Sequence, residues 1–466
     1  MILYQFYGFY MDIVSLKEYF QAQKNEVEKQ FSTLLSFKTV SADPNMHSEM
    51  ISCAKWLKKQ LQALGGHVEF WESKGPPVVF AAFTSSKKQA PTLLLYAHYD
   101  VQPVDPIEEW TSDPFTARKE GDTFFSRGAS DDKGHIIYTL LTLKNLTESG
   151  LPCHIKIVFE GEEEIASGAL TEFCQSKQEE LRADYAMVLD LGMRVRDVPV
   201  IPMGTRGIAG LHIEVQGPNQ DLHSGSHGGA AHNPLIALAH MLAALHDREG
   251  RVCVPGFYDD VSELTLEERN DFDLTYDETA WERIFGQKPT GGENKYPLGQ
   301  RISIRPTLEI NGICGGYTGP GIKTIIPKKA NAIISCRLVP NQDPIKTANQ
   351  VKNFLQNQAP EGITARIKIL EGMGRAFRAK SASKLFRAID HAMQAVWNVK
   401  PKKILEGGSV PILPLLHEAC QGDLIGWGMG LSSDRIHSPD EHFDLRRMEQ
   451  GFLILTLSIA FLNQSE

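Results

Sequence analysis

Residues 93–100 constrain the fold most. Leu93, Leu94, Leu95, Tyr96 and Ala97 form an apolar run that ends in His98, Tyr99 and Asp100. A run without polar alternation reads as a strand buried on both faces, the habit of parallel sheets covered by helices. Open sheets of that kind bind ligands at the carboxyl ends of their strands, and this strand delivers an imidazole and a carboxylate there. His98 and Asp100 are two apart and share one face of an extended chain. That suits a metal-ligating His whose second ring nitrogen is held by a carboxylate. A capped strand with a satisfied His is the plainer reading.

Further segments repeat the pattern. Arg127-Gly-Ala-Ser-Asp131-Asp132-Lys133-Gly134 is followed by Ile136, Ile137, Leu140, Leu141 and Leu143. That spacing is helical and puts the acidic pair at a helix N-terminus. One Asp suffices for a cap, and two exceed that need. The apolar stretch 154–159 leads into Glu160-Gly-Glu162-Glu163-Glu164, and small residues follow as at a tight strand-to-helix turn. A charge run alone is an ordinary solvated face. Tyr185-Ala-Met-Val-Leu189-Asp190 is another strand ending in a carboxylate, and His437 sits in a loop closed by Pro439. Segments that each deliver His, Asp or Glu at an element end form one constellation. Such nitrogen and carboxylate donors suit zinc and harder divalent ions. They are enough for two ions sharing a bridging carboxylate, the arrangement of aminopeptidase-type hydrolysis.

Several blocks together resemble the di-zinc dipeptidases, the group of cytosolic nonspecific dipeptidase and carnosine dipeptidase, relatives of aminoacylase and carboxypeptidase G. These are Ala97-His-Tyr-Asp-Val-Gln-Pro103, Arg127 to Gly134, Glu160-Gly-Glu-Glu-Glu164, Asp221-Leu-His-Ser-Gly225, Arg337-Leu-Val-Pro-Asn341, Glu406-Gly-Gly-Ser409 and Ile436-His-Ser438. The resemblance implies that His98 and Asp190 hold one ion, Glu164 and His437 the other, and that Asp131 bridges both across a cis Asp131–Asp132 peptide. Glu163 would be the general base, and Asp100 would orient His98. The triple-Glu run leaves the register open to one place: Ala166 stands where the family has Gly, and the alignment chosen makes Glu162 a neighbour. A hydroxide bridging two ions would attack the peptide carbonyl, since zinc lowers the pKa of bound water to about 7.

The same resemblance implies the substrate-binding residues. His223 would reach a neighbouring subunit's active site and bond the oxyanion, which requires a homodimer. Arg337 would clamp the substrate's C-terminal carboxylate, a match for the guanidinium fork. Thr324 and Ser409 would add hydrogen bonds, and Gly407 and Gly408 would let the backbone approach the ligand closely. Alternatives are a surface partner for Arg337 and plain strand filling for Thr324. The implied function is hydrolysis of dipeptides or short peptides with a free C-terminal carboxylate by two divalent ions, zinc first, manganese or cobalt also admissible. An N-acyl-amino-acid deacylase on the same metals is the alternative.

Composition agrees with a large enzyme. At 466 residues the chain exceeds one typical domain. A net charge of −9 and the lack of a basic aromatic stripe exclude nucleic acid as a default partner. Seven Cys without a Cys-x-x-Cys pair suit a reducing cytoplasm rather than a disulfide framework. Residues 1–10 are apolar and aromatic but too short to span a bilayer, and they lack the charged start and cleavage site of a signal peptide. They read as an extension or an over-called start before Met11, and no membrane partner is expected.

The fold class expected is α/β: a catalytic domain of the zinc-peptidase kind, its mixed and mostly parallel sheet flanked by helices, with an inserted α+β lid or dimerisation domain. Residues 11–206 would form the first part of the catalytic domain, 207–379 the insert and 380–466 the returning part. Residues 208–215 alternate as a strand with Ile208, Gly210, His212 and Glu214 on one face. Helices are expected at 49–64, 233–246, 347–358 and 381–397, and a strand at 329–338. The polar, acidic stretch 250–300 resists assignment.

Overall fold

The computed structural model describes residues 12–463. The stretch 1–10 lies outside the described residues. The chain divides into two compact units. One runs to Met203 and takes up Ala379–Ile404 and the chain from Leu415; the other is Gly204–Arg378 with Leu405–Pro414. Residues 405–414 thus cluster with the second unit, not with the returning segment. Hydrogen bonds explain this. Arg206 donates from its backbone N to Gly408 O at 3.0 Å and from Nε to Gly407 O at 2.7 Å, and Ser409 Oγ donates to Gly207 O at 3.0 Å.

In the first unit the apolar run forms the strand Thr92–His98, buried from Leu93 to His98. It is central in a six-stranded sheet ordered His67–Trp71, Val78–Phe83, His154–Glu160, Thr92–His98, Tyr185–Val188, Asp423–Gly426. The last four strands pair in parallel, and the two preceding pairings are antiparallel. Continuous burial of Thr92–His98 follows from that central position. The helix Leu445–Leu462 packs on both Gly134–Ser149 and Lys384–Trp397. Gly451 lets two of them approach, because a Cβ there would lie 2.7 Å from the Tyr138 ring. Ser383 Oγ caps Lys384–Trp397 by accepting from Phe386 N. No helix of the described residues is long and apolar enough to cross a membrane.

The second unit is built on an antiparallel sheet ordered Thr307–Gly315, Lys329–Leu338, Gly207–Gln216, Thr364–Ile369. Ala209, Leu211, Ile213 and Val215 alternate inward, as the sequence pattern requires, against Leu238, Met241 and Leu242 of the helix Pro234–Ala243 and Ala348, Val351 and Leu355 of the helix Pro344–Asn357. The unassigned stretch forms the short helices Leu266–Asp271, Glu278–Phe285 and Leu298–Ser303. Arg305 anchors it, donating to both carboxylate oxygens of Glu293 and to Glu263. A charge fork buried between loops leaves no periodic trace in the sequence, which is why hydrophobic pattern could not parse this stretch.

Candidate metal centre

Parallel pairing brings three strand ends to one edge. His98 ends its strand opposite Glu160, and Leu189 N donates to Tyr96 O, so Asp190 emerges beside them. The turn after Glu160 carries Glu163 and Glu164. The acidic pair does not cap the helix Gly134–Ser149. It lies in the preceding turn Ala129–Lys133, where Asp131 has the extended values φ −120° and ψ 93°. That backbone turns Asp131 out of the helix and toward the strand ends. The Asp131–Asp132 peptide is cis.

Asp131 stands between two imidazoles. Its Oδ1 is 2.8 Å from His98 Nε2 and its Oδ2 is 2.9 Å from His437 Nε2. Asp190 Oδ1 is 3.5 Å from His98 Nε2, and Glu164 Oε2 is 3.4 Å from His437 Nε2. His98 is fully buried, whereas His437 is exposed and held at φ 60°. On the other side of its ring, His98 Nδ1 lies 3.1 Å from Asp100 O and 3.4 Å from Asp100 Oδ1. The Asp100 carboxylate also accepts from the backbone N of Glu163 at 3.2 Å and of Glu164 at 3.0 Å. One buried acid therefore steadies both the imidazole and the glutamate turn.

The charges set one another. Burial would raise the Asp131 carboxyl, but the His437 and His98 imidazoles outweigh it and hold that group below the usual range. Burial would lower His98, yet Asp190 and then hydrogen bonds to Asp100 and Asp131 raise it well above the ordinary value. Bonding to Asp131 and then Glu164 pushes His437 up to about 10. Burial pushes Asp190 up to about 7 and Glu163, with Asp190 nearby, up to about 9. These shifts share one cause: carboxylates and imidazoles crowded together away from water.

A cation would relieve such crowding by binding the deprotonated donors. Two groups of donors, His98 with Asp132 and Asp190, and Asp131 with Glu164 and His437, have ligand atoms within 4.8 Å of one another. Glu164 Oε1 is buried without a hydrogen-bond partner, an orphan that an ion would satisfy. Imidazole nitrogen with carboxylate oxygen fits zinc and its divalent neighbours. Asp132 joins the first group by position, but its oxygens already face His98 N at 3.1 Å and His135 Nδ1 at 2.6 Å.

Residues 94–460 match the model of peptidase family M20/M25/M40. The chain belongs to this family. It is 29% identical over 471 residues to the Cys-Gly metallodipeptidase dug1 of Schizosaccharomyces pombe, covering 95% of this chain and 96% of that protein. It is 29% identical over 385 residues to the Beta-Ala-His dipeptidase of Rattus norvegicus, covering 81% and 78%. The M20 family metallo-carboxypeptidase Sso-CP2 of Sulfolobus solfataricus superposes with a TM-score of 0.84 at 32% identity, over 94% of this chain and 99% of that one. This M20 chain is accordingly an enzyme of a metallopeptidase family.

The remaining expected residues of this M20 peptidase lie in the second unit. Arg337 is half-buried on the strand Lys329–Leu338, its guanidinium without a hydrogen bond or ion pair among the described residues, and burial lowers its pKa. His223 is exposed, and its Nδ1 accepts from Gly225 N at 3.0 Å, which leaves the proton of the neutral ring on Nε2. Thr324 is exposed, and its carbonyl accepts from Ser224 N. The Ser409 hydroxyl hydrogen is committed to Gly207 O, so toward a ligand that oxygen can only accept. Gly408 has open space where a Cβ would stand. Gly407 does not: its Cβ would lie 2.2 Å from Ile302 O, so its small size serves packing within the unit. Sequence reasoning passed over Gln102, whose Nε2 donates to Glu164 Oε2 at 2.7 Å. Its place in the block 97–103 was the available signal.

Proposed function

We propose that this M20 peptidase hydrolyses the peptide bond of dipeptides and short peptides that end in a free carboxylate, with two divalent ions held by His98, Asp190, Asp131, Glu164 and His437. The observation that carries the proposal is Asp131 offering one carboxylate oxygen to each of two imidazoles, the disposition of a bridging ligand. When bound, the ions acidify water and polarise the scissile carbonyl. Asp100 holds the backbone that presents Glu163. The Glu163 carboxylate has no hydrogen bond among the described residues, so it is free to take a proton from the attacking water and return it to the leaving amine.

Arg337, unpaired and partly desolvated, is the proposed clamp for the substrate carboxylate, and Ser409, Gly408 and Thr324 the proposed lesser contacts. The His223 tautomer supports a role as oxyanion donor from Nε2, and its exposure is compatible with service to a neighbouring subunit. A homodimer through the second unit is part of the proposal. Its support is the edge strand Thr307–Gly315, where Ile310 and Ile313 are exposed beside Ile333; an open apolar edge invites pairing with another chain. The S. pombe and rat relatives favour dipeptides over N-acyl amino acids as the substrate class. The test is a panel of dipeptides and N-acetyl amino acids offered to chelator-stripped protein after addition of Zn²⁺, Mn²⁺ or Co²⁺. Turnover of dipeptides only with added metal is expected; turnover confined to N-acetyl amino acids would overturn the reading.

A further inference from the structure

A fully buried carboxylate outside the donor set ties two of the metal-bearing loops together. Glu441 lies four residues after His437 and uses both oxygens. Its Oε2 accepts from Arg127 Nη1 at 2.8 Å and Gly128 N at 2.9 Å; its Oε1 accepts from Ser130 N at 2.9 Å and Asp131 N at 3.0 Å. The last donor is the amide of the residue placed between the two imidazoles. The backbone joins in, because Ser126 N donates to Glu441 O. Asp434 makes a second tie, its Oδ2 accepting from Ser130 Oγ at 2.7 Å and from Leu431 N at 2.8 Å. Both loops need such restraint. Asp131 leaves helical geometry inside its turn, and Arg435, His437 and Asp440 all sit at φ near 60°, a region that costs a non-glycine residue free energy.

We infer that Glu441 is a positioning residue that sets the Asp131-to-His437 separation and so prebuilds the metal centre. The inference rests on the proposal that this cluster binds metal. Glu441 touches no substrate. It acts by fixing the amides of the 128–131 turn to the segment that carries His437, and its charge matches four converging N–H donors. A neutral amide could accept on one side only and would turn N–H groups toward N–H groups on the other.

The test compares wild type, Glu441→Gln and Glu441→Asp by two readouts that do not need turnover. The first is amide hydrogen exchange at Gly128, Ser130 and Asp131 in chelator-treated protein. The second is titration with Zn²⁺ against a chromophoric chelator. The expected result for E441Q is faster exchange at those three amides and Zn²⁺ affinity weakened about 10- to 100-fold, the usual effect of losing a partner behind a ligand. E441D keeps the charge and should recover part of both. Should E441Q not fold, E441D against wild type carries the same comparison, with smaller losses expected. Zn²⁺ affinity equal to wild type despite faster exchange would make Glu441 a merely structural acid and overturn the inference, as would unchanged exchange. A wild-type protein that takes up no Zn²⁺ would instead overturn the metal proposal beneath it, whatever the variants do.

Discussion

Replacing Glu163 by Gln removes a proton acceptor while leaving shape almost untouched. The side chain has no hydrogen bond among the described residues, and its backbone N remains bonded to Asp100 Oδ1 whichever side chain is present. The turn is therefore expected to keep its form. No other carboxylate can stand in. Asp190 and Glu164 are proposed ligands beside His98 and His437, and Asp100 is occupied by the two backbone amides. The loss should reach the upper part of what a general base contributes, about 100- to 10,000-fold in rate, equal to about 2.7–5.5 kcal/mol at 1.36 kcal/mol per decade. Stability should move the other way. Burial pushes Glu163 up to about 9, so its carboxyl favours the folded chain while protonated and opposes it once ionised. Gln cannot ionise, so the metal-free variant should match wild type below about pH 4.3, where the carboxyl is protonated in both states, gain on it as pH rises from there, and hold its full advantage above about pH 9. The assay is initial rate of dipeptide hydrolysis beside metal content and thermal melting of the same preparations. A variant with full metal and activity within tenfold of wild type would refute the reasoning.

Arg337→Met should raise KM for substrates with a free carboxylate, losing charge-assisted bonds worth about 1.5–3 kcal/mol, and should have little effect on C-terminally amidated peptides; equal losses on both would remove the clamp. Burial pushes Glu160 up to about 8 against the lowering pull of the Tyr96 hydroxyl. Its contribution to stability is present in full below the unfolded value of about 4.3 and lost as pH rises through about 8. Glu160→Gln should flatten that decline in melting curves of chelated protein, and parallel curves would refute this. Chelation should abolish hydrolysis and lower the melting temperature, since each ion contributes about 2.7 kcal/mol when present at 100 times its Kd. Ile313→Asp should yield monomers in light scattering with activity reduced alongside; a fully active monomer would exclude service by His223 to a neighbour.

Strand ends were legible because apolar runs stop at polar groups, and His98, Asp190 and the glutamate run 160–164 stood out that way; the choice of Glu163 and Glu164 within that run rests on the family resemblance. The second-unit strand Gly207–Gln216 was legible from strict alternation at 208–215. Asp131 stood out because two adjacent acids exceed what a helix cap needs, and the backbone angles show that the pair lies in the turn before the helix. Gln102 was signalled only by its place in the block 97–103. Glu441 was illegible: its partners are Arg127 and main-chain amides more than 300 positions away, which leave no local pattern of side-chain types. Arg305 escaped for the same reason. The 405–414 segment changed unit because hydrogen bonds from Arg206 and Ser409 outweigh its place in the sequence.

Asp131 and His437 meet although 306 positions separate them. A ribosome adding about 5–20 residues per second needs roughly 15–60 s to make what lies between. Throughout that time the nascent polypeptide owns the strand-borne donors without their distant partner, and any cleavage product ending before His437 inherits the same half. The proposed metal centre can therefore be completed only late in synthesis.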